Sequence, residues 1–303
     1  MERVGTILRR EHGDLIVSKR KLKHIDRCES VCTKRDTGRQ NLGFASRPFV
    51  LCALPIKRPP KGVLLHQRRN GDFLLEITGH PRYGLPWGQD RLVPIFLATL
   101  AVRQRSKTIV FPSAAAMLDT FGMHQGGSQY RRLIGAFQRV FGATIFFGTE
   151  VQRERARVID ESRFNFMTEA HIWYSRPSSG SPQAAENRIV LSDEFYREVM
   201  AHPIPTDLEA AKALAGTPAA LDLFAWLSYR CFTAKGRERV PLSGSSGLVH
   251  QLGTGDYARP RKFRERLAES LVVVNRVWPG CPAKISEDGA YLVVSNGTAV
   301  HQR

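Results

Sequence analysis

The chain has 303 residues, 42% of them apolar and 24% charged, and a net charge of +17. That length supports about two ordinary domains, each with its own core, and the composition excludes a disordered or collagen-like chain. The excess of Lys and Arg favours a polyanionic partner, because each phosphate that a cation neutralises releases condensed counterions.

Residues 1–47 are rich in Arg, Lys and polar residues without a sustained apolar period, and are expected to be a flexible basic arm, with room for a short helix from Leu15 to Ile25. Residues 48–80 follow as linker and hairpin. Pro48, Pro55, Pro59 and Pro60 argue for an extended stretch, and the runs Val63 to Gln67 and Phe73 to Ile77 flank Asn70-Gly71, a dipeptide suited to a tight turn. This hairpin is expected to pack onto the domain that follows.

Residues 81–184 and 185–303 then repeat one order of elements. The first copy has an apolar helix from Arg91 to Arg105, a short strand from Thr108 to Phe111, a Ser113-capped helix ending at Phe121-Gly122, a basic helix from Ser128 to Phe141, and a hairpin from Ala143 to Phe147 with Phe164 to Tyr174. The second has a helix from Pro218 to Cys231, a strand from Arg239 to Leu242, a helix from Ser243 to Leu252, a basic helix from Tyr257 to Val274, and a hairpin around Asp288-Gly289. Between them, Ile189 to Leu191 reads as a strand, Ser192 as a helix cap, and His202 to Asp207 as a bend. Helix, strand, helix, helix, hairpin is the order of a winged helix, which lays its last helix in the major groove. The expected fold class is therefore α+β, two tandem winged-helix domains behind the basic arm.

In the first basic helix Tyr130, Leu133, Ile134, Phe137, Val140 and Phe141 recur at helical spacing as the buried stripe, which leaves Gln129, Arg131, Arg132, Gln138 and Arg139 to face DNA. Gly126-Gly127 opens this helix to a phosphate. In the second, Phe263, Leu267, Leu271 and Val274 form the stripe and Arg259, Arg261, Lys262, Arg264 and Arg266 the cationic face. An Arg fork on guanine contributes about 1–3 kcal/mol of base discrimination, whereas phosphate contacts carry affinity alone. Arg153, Arg155 and Arg157 mark a basic wing tip.

The sequence resembles the plasmid-encoded RepA family of replication initiators over residues 80–296. The residues that carry the resemblance are Tyr83-Gly84-Leu85-Pro86 leading into Asp90-Arg91-Leu92, Ala101-Val102-Arg103, the Gly126-Gly127 turn with Tyr130-Arg131-Arg132-Leu133, Pro203 to Leu208, Thr217 to Arg230, Gln251-Leu252-Gly253 and Arg261-Lys262-Phe263. The resemblance implies binding to repeated duplex-DNA sites at a plasmid origin, help in opening the origin, recruitment of host replication proteins such as a helicase loader or initiator, and a homodimer. It also implies that the C-terminal domain does most of the base reading.

No G-x-x-x-x-G-K-[ST] loop, His-x-His pair or H-E-x-x-H motif occurs, so a non-enzymatic role without cofactor or metal is expected. His24, Cys28 and Cys32 lack a fourth ligand nearby. Cys28, Cys32, Cys52, Cys231 and Cys281 are odd in number and unevenly spread, as in reduced thiols. No signal-peptide pattern or long apolar run occurs, and a cytoplasmic protein without membrane contact is expected. Two alternatives stay open at this level: a winged-helix transcriptional repressor, and a DNA nickase attacking through Tyr130 or Tyr257.

Overall fold

The computed structural model describes residues 6–10, 13–17, 19–123, 126–153, 156–172, 187–244, 246–253 and 260–300. Strands β1 (Thr6–Arg10) and β2 (Gly13–Val17) pair antiparallel, and helix α1 (Lys19–Asp36) follows. Residues 19–46 are not a free arm. Cys28, Val31 and Arg35 recur at helical spacing and are buried where α1 meets the C-terminal half, and Arg35 Nε donates to Ala299 O at 3.1 Å. With a stripe this narrow, one member of which is an Arg stem, the segment shows too little apolar period to be read as packed.

Strand β3 (Leu42–Ser46) leads into helix α2 (Arg47–Leu51), where an extended linker was expected. Pro48 stands in the first turn of α2, where its missing N–H costs nothing, and Val50, Cys52, Ala53 and Leu54 are buried. The hairpin β4 (Leu65–Asn70) and β5 (Phe73–Thr78) forms as expected, with its turn at Gly71-Asp72 and Gly71 at φ +61°. A positive φ at the first turn position only is the type II′ pattern, which Gly occupies without a Cβ penalty.

The 3₁₀ turn Gly88–Arg91 precedes α3 (Leu92–Gln104), β6 (Thr108–Phe111), α4 (Ala114–Thr120) and α5 (Gly127–Gly142). The Ser113 side chain caps α4 by accepting from Ala116 N. The long pair β7 (Thr144–Arg153) and β8 (Ala156–Asn165) runs antiparallel, and β7 continues onto β5, giving the sheet β4-β5-β7-β8. Then come β9 (Met167–His171) and β10 (Asn187–Leu191). β6 pairs with β10, not with β7 or β8, in a second sheet β6-β10-β9, so 187–191, expected in the second domain, hydrogen-bonds within the first half. The outer side of β6 is covered by two side chains: the Gln104 amide accepts from Val110 N at 3.0 Å and donates to Val110 O at 2.7 Å, and the Ser106 hydroxyl serves Thr108 N and O in the same way.

Helix α6 (Asp193–Ala201), capped by Ser192, is followed by β11 (Pro203–Asp207), a strand paired with β3 where a bend was expected. Asp207 then caps α7 (Leu208–Leu214), and α8 (Pro218–Thr233), β12 (Glu238–Pro241), α9 (Leu248–Leu252), α10 (Pro260–Val277), β13 (Ala283–Ile285) and β14 (Tyr291–Val294) complete the chain. Here the strand after the first helix does close on its own hairpin, as the sheet β12-β14-β13. The fold is α+β, and one apolar core runs through both halves. Among the described residues no helix is long and apolar enough to cross a membrane.

Candidate nucleic-acid interface

Helix α10 buries Phe263, Leu267, Leu271, Val274 and Val277, the expected stripe extended by one turn. On its other side Arg261, Lys262 and Arg266 are exposed, Arg261 with 80% of its side chain accessible. Arg261 pairs with Glu265 (2.9 Å) and Arg266 with Glu269 (2.7 Å), both within the helix and both open to solvent. Exposed pairs of this kind contribute about 0.3–0.5 kcal/mol, so a phosphate competes for either guanidinium at small cost. Arg264 is half-buried and lies over the β13–β14 turn, where its guanidinium occupies the space that a Cβ on Gly289 would need. Arg259 and Tyr257 lie outside the described residues.

That turn joins the helix to a second cationic surface, absent from the sequence reading. Arg239 and Lys284 both stand opposite Val293 in register, one on each side of the central strand β14. Arg239 lies 4.2 Å from the centroid of the Tyr291 ring, and its guanidinium is 3.5 Å from Asp288. The Asp288 carboxyl is held below its ordinary range, first by the Ser286 hydroxyl and then by the Ala290 N–H. The alternation Glu238-Arg239-Val240 and Lys284-Ile285 marks both cations as outward on a period-two strand, which is the signal that could have found them.

Helix α5 is placed differently. Its buried residues are Leu133, Ala136, Phe137 and Val140, with Tyr130 packed against the core, while Phe141, expected inside, is 40% exposed. Arg131, Arg132 and Gln138 are exposed and Gln129 is half-buried. Arg139 does not face outward to a groove. Its Nε and Nη2 donate to Asp90 Oδ2 (2.6 Å) and Oδ1 (2.9 Å), and its guanidinium carbon lies 5.8 Å from the centroid of the Trp87 ring. Arg132 donates to Gln89 Oε1. The face of α5 that carries Arg132 and Arg139 is thus turned toward the Gly88–Arg91 turn. Arg153 and Arg157 lie where β7 and β8 run on past Phe73, the end of β5, as a two-stranded ribbon; Arg155 lies outside the described residues.

Behind the two helices, Arg91 and Asp222 form a buried ion pair at 2.8 Å. Arg91 also donates to the carbonyls of Gly88 (2.7 Å) and Leu54 (2.9 Å), while Asp222 Oδ2 has no hydrogen-bond partner. Burial outweighs the attraction of Arg91 and pushes Asp222 up to about 6. Trp226 donates to Gln251 at 2.9 Å inside the core, and Trp278 is buried, so neither is a base-stacking platform; Trp173 lies outside the described residues. His24 Nε2 and Cys28 Sγ are 3.8 Å apart, Cys32 Sγ instead meets Arg276 O, and among the described residues no group of three His, Cys, Asp or Glu is placed to hold a metal ion.

Comparison with known proteins extends this geometry. Residues 85–242 match the family described as plasmid encoded RepA protein. The chain belongs to this family of plasmid replication initiators. No curated protein matches this RepA-family chain. Among solved structures, a crystal structure of RctB domains 2-3 covers 81% of the chain and 94% of its own length at 15% identity and a TM-score of 0.50. A second, of selenomethionine derivatives of domains 2 and 3 of RctB, covers 82% and 97% at 14% identity and a TM-score of 0.54. At these identities the likeness is one of fold.

Proposed function

We propose that the protein initiates plasmid replication by binding repeated duplex-DNA sites at the origin through two winged-helix modules, with α10 as the principal reading helix. The observation that carries this reading is the row of exposed α10 cations, with Arg264 over the β13–β14 turn and Arg239 at Asp288 of that same turn. A helix in the major groove with a cationic sheet beside it places side chains on bases and on flanking phosphates together. In this reading Arg261, Lys262 and Arg266 contact DNA directly, Arg264 orients the hairpin, and Arg131 and Gln138 of α5 contact backbone at a second sub-site, Arg132 being engaged by Gln89. Arg139 is left out of the contact set, because its guanidinium is committed to Asp90.

The protein acts in the cytoplasm without catalysis, helps open the origin, and brings host replication proteins to it, self-associating as a homodimer when not on DNA. Tyr130 packs against the core instead of facing a phosphate, which disfavours a tyrosine nickase. The test is a titration of the full chain against a duplex from its own replicon's origin and a scrambled duplex of equal length. Tight binding to the first that weakens steeply with salt supports the reading, and equal affinity for both overturns it. Incubation with supercoiled origin plasmid and Mg²⁺ should leave the plasmid unnicked.

A further inference from the structure

The turn Gly88–Arg91 lies between α5 on one side and α7 and α8 on the other, and three consecutive residues in it hold both. Gln89 takes a hydrogen bond from Arg132 of α5 at Oε1 and donates from Nε2 to Ala215 O, just past α7, at 2.8 Å. Asp90 grips α5 through both Arg139 bonds while accepting from Trp87 N at 2.9 Å. Arg91 grips α8 through Asp222. The strand of chain behind the turn is tied in the same way, since Ala53 N donates to Gln251 O of α9 (2.9 Å) and Gly88 N to Pro55 O (2.9 Å).

Leu133, Ala136, Phe137 and Val140 hold α5 on the core, but its side toward the turn is not filled. A groove of about 400 Å³ separates the turn from α5, lined by Trp87, Val93, Met117, Met123 and Leu133. The Arg132 and Arg139 bonds span it. Directional bonds across a void set an angle more sharply than the few contacts left around the void.

We propose that Gln89, Asp90 and Arg91 form a clasp that fixes the angle between α5 and the C-terminal half, and so the spacing at which the two reading helices meet duplex DNA. The spacing part rests on the DNA-binding reading above; the clasp itself does not. These are positioning residues, none of which touches DNA. Once the bonds across the groove are lost, only the apolar packing of Leu133, Ala136, Phe137 and Val140 holds the tilt of α5.

The experiment uses the full chain with spin labels at Gln138→Cys on α5 and Val272→Cys on α10, in a Cys32→Ser/Cys281→Ser background, and reads the distance between labels by pulsed electron resonance. The clasped protein should give one narrow distance. Gln89→Ala, and Gln89→Ala combined with Asp222→Asn, should each broaden the distribution to about double its width, with circular dichroism unchanged. An unchanged distribution in a folded Gln89→Ala protein overturns the clasp; should the double variant unfold, the single one, which removes no charge, decides.

Nuclease protection on the origin duplex forms the second arm. Wild type should protect one continuous stretch, and Gln89→Ala should keep only the part that α10 covers. Failure of wild type to protect any stretch overturns the DNA reading and leaves the spin distances to judge the clasp. Full protection by a variant whose labels have spread overturns the link between angle and spacing.

Discussion

The two halves carry one order of elements and close it in two ways. In the second half β12 pairs with β14, so α8, α9 and α10 sit on a three-stranded sheet made from their own repeat. In the first half β6 pairs with β10, and β7 and β8 join the β4–β5 hairpin instead. The cations follow the same division. Arg261 and Arg266 of α10 pair with carboxylates of their own helix, in solvent, whereas two cations on α5 are held by the turn before α3. One order of elements has yielded an open cationic surface and a partly engaged one. Sequence order therefore specifies neighbours along the chain but not which strand closes a sheet.

Exchanging Arg261 and Arg264 together for Ala should have the largest effect, about 50-fold or more weaker binding to the origin duplex, from one lost bidentate contact and a loosened hairpin. A loss under twofold by anisotropy titration would remove α10 from the interface. Arg139→Gln should do the opposite. It should lower stability by about 2 kcal/mol in urea melts, since Asp90 then stays buried without its partner, and weaken DNA binding far less than the α10 pair, by no more than the share that α5 contributes. A variant that keeps its stability and loses binding would put α5 on a par with α10.

The buried pair between the halves predicts a pH effect. The Asp222 pKa is raised from 3.8 to about 6, so this carboxyl binds a proton more tightly folded than unfolded. Its contribution to stability is complete below 3.8 and is lost as pH rises through about 6. Thermal melts of wild type and Asp222→Asn should accordingly diverge in favour of wild type between pH 7 and pH 5, and parallel curves would refute the shift. Lys284→Ala should act more weakly, lowering the slope of log affinity against log salt by about one contact. Ser113→Ala, which removes the α4 cap, should cost about 1 kcal/mol and leave binding intact.

Much of this was legible where period and punctuation agree. The apolar stripe of α10, the Ser113 and Ser192 caps, the β4–β5 hairpin and the exposed cations Arg261, Lys262 and Arg266 all follow from local spacing. What was hidden is tertiary. Arg139 has the spacing of a surface residue, and only the approach of Asp90, 49 residues earlier, turns it inward. Residues 19–46 look polar because α1 buries a narrow stripe, and β3 finds its partner β11 far along the chain. Pro48 reads as a breaker in sequence and serves as a helix start in the fold.

The Gln104 amide on β6 has a last consequence. By satisfying both outward groups of Val110, it occupies the rung that an incoming strand would need, although Val110 itself is 40% exposed. A bare sheet margin is a template for zippering one copy onto the next, and here the template is filled from within. Copies brought side by side can crowd together without fusing through this margin, so any pairing between them must be built elsewhere on the surface.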